Sequence, residues 1–416
     1  MGHIEDRWFR TVAVDDDKPV RVKTALHGKG LRYRVRYQGP DGRERSKSFP
    51  DRHKKAAEDY LTDVESRRLR GSFVDPIAGR ITFAEYAQRW MEQQTFDEST
   101  REVTERRLRR HIIPKLGHLE LAAVRPEHIR QFDRSLQVAG LSDGFRSVAF
   151  SNVSSILNAA VDDDRITKNP CRARSAKPPK LRSVRVVPWK LEHVEALRSN
   201  LPRRYKVLID LGAGCGMRQG EVLGLALDDI DFDKEIVRVR RQIKIVRAKL
   251  AFAEPKGRKT REVPLPSSVA ERLREHIAEF LPRSIALPWE TPTGKPVAAD
   301  LIIYGVHGGA INRGDLNKKI WWPAATRAGI PQDRKNGMHA LRHFYASTLL
   351  DAGESIKALA NYLGHADPGF TLRTYTHLMP SSEERTRKAI DQAFGYRSAR
   401  RPDDGLDPAN TEETAA

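Results

Sequence analysis

A basic segment near the middle of the chain limits what the residues on either side of it can form. Residues 165–190 contain nine Lys or Arg, four Pro and no Asp or Glu. Prolines and unopposed positive charge disfavour a helix or a strand in this segment. Each side must therefore bury its own core, and a length of 416 residues with 39% hydrophobic residues suffices for two or three domains. We expect a multidomain protein with a basic linker over 171–186.

The two sides of this linker differ in their hydrophobic periodicity. Residues 80–170 repeat apolar side chains at helical spacing, and Thr82 and Glu85 have the spacing of an N-terminal capping box, which predicts a helical domain. Residues 187–395 combine helical patterns with strand-like stretches such as EIVRVRRQIKIV and REVPLP, followed by further helices to about Phe394. This pattern predicts an α+β domain. Residues 396–416 have almost no apolar side chains and are expected to be disordered.

The N-terminal region shows a strand pattern with arginines on one face. In LRYRVRYQGPDGRERSKSF, apolar or aromatic residues alternate with Arg32, Arg34 and Arg36, and GPDG supplies a turn into a second strand. A helix is predicted over 54–70, so that residues 1–75 would form a small strand-plus-helix domain. The arginine face has two interpretations, a surface that reads DNA phosphates and a solvated edge strand protected by its charge.

The charge of the whole chain indicates a polyanionic partner. The sequence has 74 Lys or Arg against 55 Asp or Glu, a net charge of +19 and a pI near 10.0, which is typical of nucleic-acid-binding proteins, although solubility alone can account for such charge. Further DNA-binding candidates lie in a helical segment and in the linker. They are Arg106, Arg110, Arg174, Lys177 and Lys180.

Cysteine usage and hydropathy bear on the compartment. Cys171 and Cys215 are the two cysteines, which excludes a disulfide framework and a cysteine-rich zinc site. The N-terminus lacks an apolar signal segment, and no window approaches 18 uninterrupted apolar residues. We expect a cytoplasmic, nucleoid-associated protein that does not interact with membranes.

The stretch MHALRHFYAS concentrates cation-capable side chains on one helical face. His339, Arg342 and His343 have i, i+3 and i+4 spacing, so they would converge on one spot, which suits an anion. Three other stretches contain residues suited to the same chemistry: CGMRQGEVLGL, EPKGRKTREVPLP and NYLGHADPGFTLRTYTHL. They supply Arg218 and Glu221, Lys256 and Lys259, and His365 and Tyr375.

Together these residue types favour phosphoryl transfer on a phosphodiester. Attack builds negative charge on the nonbridging oxygens, and a pair of arginines can hold that charge without a metal. A tyrosine attacks once it is deprotonated, and neighbouring cations lower the free energy of that step. Histidines can accept protons and a lysine can protonate the leaving oxygen. Taken singly, each residue also has an ordinary structural interpretation. Histidines could instead bind zinc, but neither the spacing of known zinc sites nor a carboxylate accompanies them.

These stretches and their order resemble the tyrosine recombinases, the phage integrase family. The resemblance is strong over about residues 185–394, and it extends to 81–169, which is similar to the family's core-site-binding (SAM-like) domain. The basic strands before it resemble an arm-type DNA-binding domain. The resemblance implies that Tyr375 forms a 3′-phosphotyrosine and that Arg218 and Arg342 hold the phosphate. It implies that His339 and His365 assist by hydrogen bonding and proton transfer. It also implies Lys256 as general acid, with Lys259 as the alternative, and Glu221 as a supporting residue.

The resemblance further implies how the protein would act. It would integrate or excise a mobile element by cutting and rejoining double-stranded DNA at attachment sites, as a homotetramer, with a DNA-bending accessory protein and an excisionase as possible partners. We expect no cofactor and no metal, because the sequence has neither a G-x-x-x-x-G-K-[ST] loop nor a carboxylate cluster suited to magnesium. A type IB topoisomerase and a non-catalytic DNA-binding regulator remain the alternatives, and a strand-exchange assay separates them.

Overall fold

Three hydrophobic cores, each built by a different stretch of the chain, support the described part of the protein. The computed structural model describes residues 2–14, 17–39, 42–69, 78–181 and 186–375, together with 387, 390, 391, 393 and 394. The chain divides into two compact units, residues 1–183 and 184–416. The predicted disordered tail, 396–416, lies outside the described residues. Among the helices that are described, none has the length and apolar character needed to cross a membrane.

The first core belongs to a strand-plus-helix module at the N-terminal end. The predicted alternation is confirmed, because Tyr33, Val35 and Tyr37 are buried and pack with Ala57 and Val64 of the helix. The central strand, Tyr33–Gln38, lies between two antiparallel neighbours, His3–Asp6 and Glu44–Phe49, and Phe9–Val14 pairs with Asp17–Lys23 in a separate hairpin. The elements are β1 (His3–Asp6), β2 (Phe9–Val14), β3 (Asp17–Lys23), β4 (Tyr33–Gln38), β5 (Glu44–Phe49) and α1 (Lys54–Leu69).

The second core is all-helical, as predicted. Its first helix begins at the expected capping box, in which the Thr82 hydroxyl accepts a hydrogen bond from the Glu85 amide and the Glu85 carboxylate accepts one from the Thr82 amide. Apolar side chains such as Phe83, Ile129 and Ile156 meet at its centre. The helices are α2 (Phe83–Gln93), α3 (Glu98–Arg107), α4 (Ile113–Leu116), α5 (Pro126–Val138) and α6 (Asp143–Asp162), with a π-helical turn, Leu108–Ile112, between α3 and α4.

The basic segment at 165–190 is anchored at both ends. Cys171 and Ala176 are buried in the helical core, and the Asn169 side chain accepts a hydrogen bond from the Cys171 amide at 2.8 Å. In the second unit, the Trp189 ring stacks on that of Trp321 with centroids 6.4 Å apart. The start of the predicted linker therefore packs as part of the helical core, and residues 182–185 lie outside the described part of the chain.

The third core supports the second unit, which combines helices with short antiparallel strands. Its described strands form a three-stranded sheet and two two-stranded hairpins. Helix His339–Asp351 packs on Val207–Gly214, and Ile356–Leu363 packs on His339–Asp351 and on Pro368–Tyr375. The strands are β6 (Ile230–Asp231), β7 (Ile236–Val239), β8 (Gln242–Val246), β9 (Lys249–Ala253), β10 (Arg261–Pro264), β11 (Arg283–Pro288) and β12 (Pro296–Leu301). The helices are α7 (Leu191–Asn200), α8 (Val207–Gly214), α9 (Gln219–Leu223), α10 (Ser267–Glu279), α11 (Arg313–Leu316), α12 (Trp322–Arg327), α13 (His339–Asp351), α14 (Ile356–Leu363) and α15 (Pro368–Tyr375).

One prediction for this unit was wrong. The sequence after α10 was expected to be helical, but β11 and β12 form an antiparallel hairpin in which Ile285 faces Ala299 across the pair. Ile285, Ala299 and Leu301 alternate with exposed residues and are buried against the main core. The alternation has a period of two, which is that of a strand.

Candidate active site

The centre of the candidate site is Arg342, which α13 places at the buried base of a cluster of cations. The residue is 1% exposed, and its Nη1 donates to the Gly216 carbonyl at 2.8 Å. Its Nη2 donates to the Leu363 carbonyl and lies 3.0 Å from His365 Nε2. Burial, followed by the charge of Arg218, lowers the pKa of Arg342 to about 9. At neutral pH this side chain is therefore a positive charge that is held in place by carbonyl oxygens.

Helix α14 ends against three arginines. Arg261 Nε donates to the Tyr362 carbonyl at 2.7 Å, Arg342 donates to the next carbonyl, and Arg218 Nη2 lies 3.5 Å from the Gly364 oxygen. The C-terminal end of a helix carries a partial negative charge, which offsets part of the repulsion between the guanidinium groups. Gly364 makes this turn possible with φ of +63°, a left-handed conformation that favours glycine.

Glu221 holds two of these arginines. It is 1% exposed and accepts hydrogen bonds from Arg261 at 3.0 and 2.6 Å and from Arg218 Nη1 at 2.8 Å. Burial raises the pKa of Glu221, but the hydrogen bonds and charge of Arg261 and the charge of Arg218 outweigh this effect and bring it to about 2. The ionised carboxylate therefore fixes the direction of Arg218, which is the N-cap of α9 and keeps 21% of its side chain exposed.

His365 follows α14 and has hydrogen-bond partners on both ring nitrogens. Its Nδ1 lies 2.7 Å from the Thr371 hydroxyl, and its Nε2 faces Arg342. Because a guanidinium can only donate, Nε2 is the acceptor and Nδ1 carries the proton. Burial, followed by the charges of Arg342, Arg218 and Arg261, lowers the pKa of His365 to about 4. The ring is therefore neutral at physiological pH.

Tyr375 ends α15 and points its hydroxyl into this cluster. The residue is 2% exposed, and the hydroxyl lies 2.7 Å from His343 Nδ1. Burial raises the pKa of Tyr375 to about 12 against the opposing charge of Arg342. The phenol is therefore protonated in the free protein, next to an imidazole and close to a guanidinium.

His339 and Lys256 lie on the solvent side of the cluster. His339 is the first residue of α13 and keeps contact with solvent. Partial burial of its ring, followed by the charges of Arg342, Arg218 and Lys256, lowers its pKa to about 4. Lys256 is exposed in the turn between β9 and β10, where Gly257 and Arg258 both have positive φ. The electrostatic effect on His339 associates Lys256 with the site.

The predicted DNA-binding residues divide into paired and exposed groups. On the N-terminal sheet, Arg32 is paired with Asp6 and Asp51, and Arg36 is paired with Glu5 and Glu44. Arg34 lies between them in the row, and its Nε is buried without a hydrogen-bond partner among the described residues. The other candidates are exposed: Arg106, Arg110, Arg174, Lys177 and Lys180.

Three residues of the site were not assigned a role from the sequence. Arg261, His343 and Thr371 contact Glu221, Tyr375 and His365 respectively. Helical spacing gave a signal for two of them, since His343 is four residues after His339 and Thr371 is four residues before Tyr375. The same side chains are not arranged as a metal site, because no group of three or more His, Cys, Asp or Glu suited to an ion occurs within the described residues.

Comparison with known proteins gives matches to phage integrases over both the helical core and the second unit. The phage integrase family matches residues 190–382, and the phage integrase N-terminal SAM-like domain matches residues 82–137. A prophage phiRv2 integrase of Mycobacterium tuberculosis is 26% identical over 355 residues, which cover 83% of this chain and 88% of that relative.

Solved structures share the fold. The Tn1549 transposon integrase in complex with a circular intermediate DNA has a TM-score of 0.63 at 20% identity, covering 75% of this chain and 99% of that one. A lambda integrase tetramer bound to a Holliday junction has a TM-score of 0.51 at 17% identity, covering 80% and 93%. The matches span both the helical core and the unit that contains the arginine and histidine cluster. The chain therefore belongs to the phage integrase family of tyrosine recombinases, the enzymes that cut and rejoin DNA at specific sites.

Proposed function

We propose that this recombinase cuts DNA with Tyr375, which attacks the scissile phosphate and forms a 3′-phosphotyrosine while a 5′-hydroxyl leaves. The observation that supports this role is the burial of the Tyr375 hydroxyl in the same cluster as Arg342 and the histidines. The phosphotyrosine retains the phosphodiester linkage, so a 5′-hydroxyl from another strand can attack it and rejoin the DNA. The reaction needs no ATP, because one ester bond replaces another.

Arg218 and Arg342 hold the phosphate in this proposal. Arg342 is fixed by carbonyl oxygens and Arg218 by Glu221, so neither has to reorganise when charge builds on the nonbridging oxygens. Arg261 is not expected to touch DNA. Its two bonds to Glu221 and its bond to the Tyr362 carbonyl make it a positioning residue that keeps Arg218 aimed at the phosphate.

His339, His365 and Lys256 complete the chemistry. Neutral imidazoles can donate to a phosphate oxygen from one nitrogen while the other accepts, and His339 is accessible to such a ligand. His365 orients Arg342 through its Nε2. Lys256 protonates the leaving 5′-oxygen, and its exposed turn lets it reach DNA. Lys259, in the same loop between β9 and β10, is the alternative acid.

The biological reaction that fits best is integration or excision of a mobile element. Support comes from the prophage and transposon integrases to which the chain is similar. We propose that four copies assemble on two attachment sites, in keeping with the lambda integrase tetramer on a Holliday junction. The N-terminal module would serve as an arm-type DNA-binding domain, a DNA-bending protein and an excisionase would act as accessory partners, and the reaction would take place at the nucleoid.

A covalent trapping assay tests the proposal. The protein and its Tyr375→Phe variant are incubated with labelled duplex fragments from the DNA flanking its own gene, without metal or nucleotide, and run on SDS gels. We expect a retarded band with the native chain and none with the variant. A band that persists with Tyr375→Phe would mean that another residue is the nucleophile. Exchange between two site-bearing fragments then distinguishes a recombinase from a topoisomerase, which relaxes DNA without exchange, and from a regulator, which does neither.

A further inference from the structure

His343 is the imidazole that contacts the hydroxyl of the proposed nucleophile. Its Nδ1 lies 2.7 Å from the Tyr375 oxygen, and the ring centroids are 5.7 Å apart with planes inclined by 61°. The two residues come from α13 and α15, which are separated by 32 positions in sequence. A contact of this length between the buried tyrosine and the half-buried imidazole is a hydrogen bond, and it involves the atom that has to lose a proton before it can attack.

The other two histidines are placed differently. Both ring nitrogens of His365 are engaged, one by Thr371 and one by Arg342. The His339 ring packs edge to face on that of His343, with centroids 4.6 Å apart, and no hydrogen bond joins it to Tyr375 in the described part of the chain. His343 is therefore the histidine in position to accept the phenolic proton.

We propose that His343 is a catalytic residue that accepts the proton of Tyr375 when DNA is cut and returns it when DNA is rejoined. This inference rests on the proposed role of Tyr375 as nucleophile. As the tyrosine O–H bond breaks, the proton moves to His343 Nδ1 and the phenolic oxygen bonds to phosphorus. The bond from phosphorus to the 5′-oxygen breaks with its electron pair, and that oxygen takes a proton from Lys256. Rejoining reverses each transfer.

Electrostatics makes this transfer depend on bound DNA. Burial, followed by the charges of His339 and Arg342, lowers the pKa of His343 to about 4, while burial raises that of Tyr375 to about 12. In the free protein the proton therefore stays on the phenol. A phosphodiester brings one negative charge into the cluster and gains more as it is attacked, which stabilises an imidazolium at His343. The nucleophile is thus activated when its target is present and remains protonated otherwise.

The histidine can be tested with a substitution that keeps the shape of the contact. Asparagine at position 343 places an amide oxygen near the position of Nδ1 but cannot take a proton. We expect His343→Asn to bind DNA and melt like the native chain while covalent-complex formation under single-turnover conditions falls about 100-fold or more. His276→Asn is the matched control, because His276 is a buried histidine of the same unit that contacts the Ile302 carbonyl and lies outside the site. It should cut DNA at the native rate.

A modified tyrosine in the protein and a modified phosphate in the DNA distinguish a loss of proton acceptance from structural damage. Incorporation of 3,5-difluorotyrosine at position 375 makes the phenol more acidic, so it should restore cutting by His343→Asn about tenfold or more and change the native rate much less. A 5′-bridging phosphorothiolate, whose leaving group needs no acid, should rescue Lys256→Ala but not His343→Asn. If His343→Asn cuts at the native rate, gains nothing from the fluorinated tyrosine, or is rescued by the phosphorothiolate, this inference is wrong. If the native chain itself forms no covalent complex, the proposed function fails first.

Discussion

The chain contains two groups of three arginines that are held in opposite ways. The arginine row, Arg32, Arg34 and Arg36, lies along β4 and the residue before it in the N-terminal module, where carboxylates of neighbouring strands and loops pair with two of its members. The arginine cluster, Arg218, Arg261 and Arg342, lies in the second unit, residues 184–416, which is the catalytic unit. There the carbonyl end of α14 and the single carboxylate of Glu221 hold three guanidinium groups.

The difference shows why charge density in a sequence does not identify a binding site. In the row, each paired arginine is neutralised by its own module, so little charge remains for a ligand. In the cluster, helix carbonyls fix the guanidinium groups but neutralise them only in part, so positive charge remains for a phosphate. A backbone carbonyl can orient an arginine without bringing a full negative charge next to it. In the catalytic unit, carbonyls orient the arginines in this way.

Replacing Arg342 with lysine should produce the largest effect. A lysine ammonium has the same charge but cannot reach the Gly216 and Leu363 carbonyls and His365 at the same time. We expect covalent-complex formation to fall about a thousandfold while DNA affinity stays near the native value. Arg36→Lys, in the row, is the control and should cut normally. An equal loss of binding and cutting in Arg342→Lys would indicate a structural role for the guanidinium instead.

Local sequence patterns were sufficient to predict some contacts and to select several side chains of the cluster. Thr82 and Glu85 form the expected capping box because a capping box is local. Arg218, His339, Arg342, His365 and Tyr375 were proposed from their motifs, and the structure brings them into one unit. The assignment of their catalytic roles stays a prediction until covalent trapping is done.

The missed contacts depend on distant parts of the chain. Arg261 meets Glu221 across 40 positions and His343 meets Tyr375 across 32, so no local pattern identifies the partners. Likewise, the pairing of Arg36 with Glu5 depends on the register between β1 and β4, which joins residues more than 30 positions apart. Register and tertiary packing, not composition, decide which arginines are paired with a carboxylate.

Removing the shared carboxylate should have the second-largest effect. In Glu221→Gln, Arg218 and Arg261 lose their common counter-charge in a buried site, and we expect the free energy of unfolding of the catalytic unit to fall by about 3 kcal/mol. Calorimetry of the full chain measures this as a lower melting temperature. Glu44→Gln removes an exposed partner of Arg36 and should leave melting unchanged. A Glu221→Gln variant as stable as the native chain would show that the carbonyls of α14 suffice to hold the cluster.

The catalytic unit and the N-terminal module should also lose stability over different pH ranges. His343 and His365 have pKa values of about 4 in the folded chain against an ordinary 6.5, so the unfolded chain binds more protons between these values and stability falls as pH falls from 6.5 to 4. At pH 5 the loss should be about 1 to 2 kcal/mol per histidine. Bonding to Arg32 lowers the pKa of Asp51 below its ordinary 3.8, so its contribution is lost only at lower pH. Denaturant unfolding at pH 7.5 and 5 measures the difference, and a catalytic unit equally stable at both would contradict it.

The smallest effects should come from single substitutions in the arginine row, where Arg34 and Arg36 differ in their ion pairs. No ion pair joins Arg34 to a carboxylate among the described residues, whereas Arg32 and Arg36 are held by carboxylates. If the row contacts DNA phosphates, Arg34→Gln should remove about one counterion from the salt dependence of binding, a change of about 0.9 in the slope of log K against log salt. Arg36→Gln should change the slope less, because Glu5 and Glu44 already offset its charge. Fluorescence anisotropy across a salt series measures both variants. Equal changes would mean that DNA displaces the carboxylates and that the row acts as a unit, in which case pairing in the free protein says little about which arginines bind DNA.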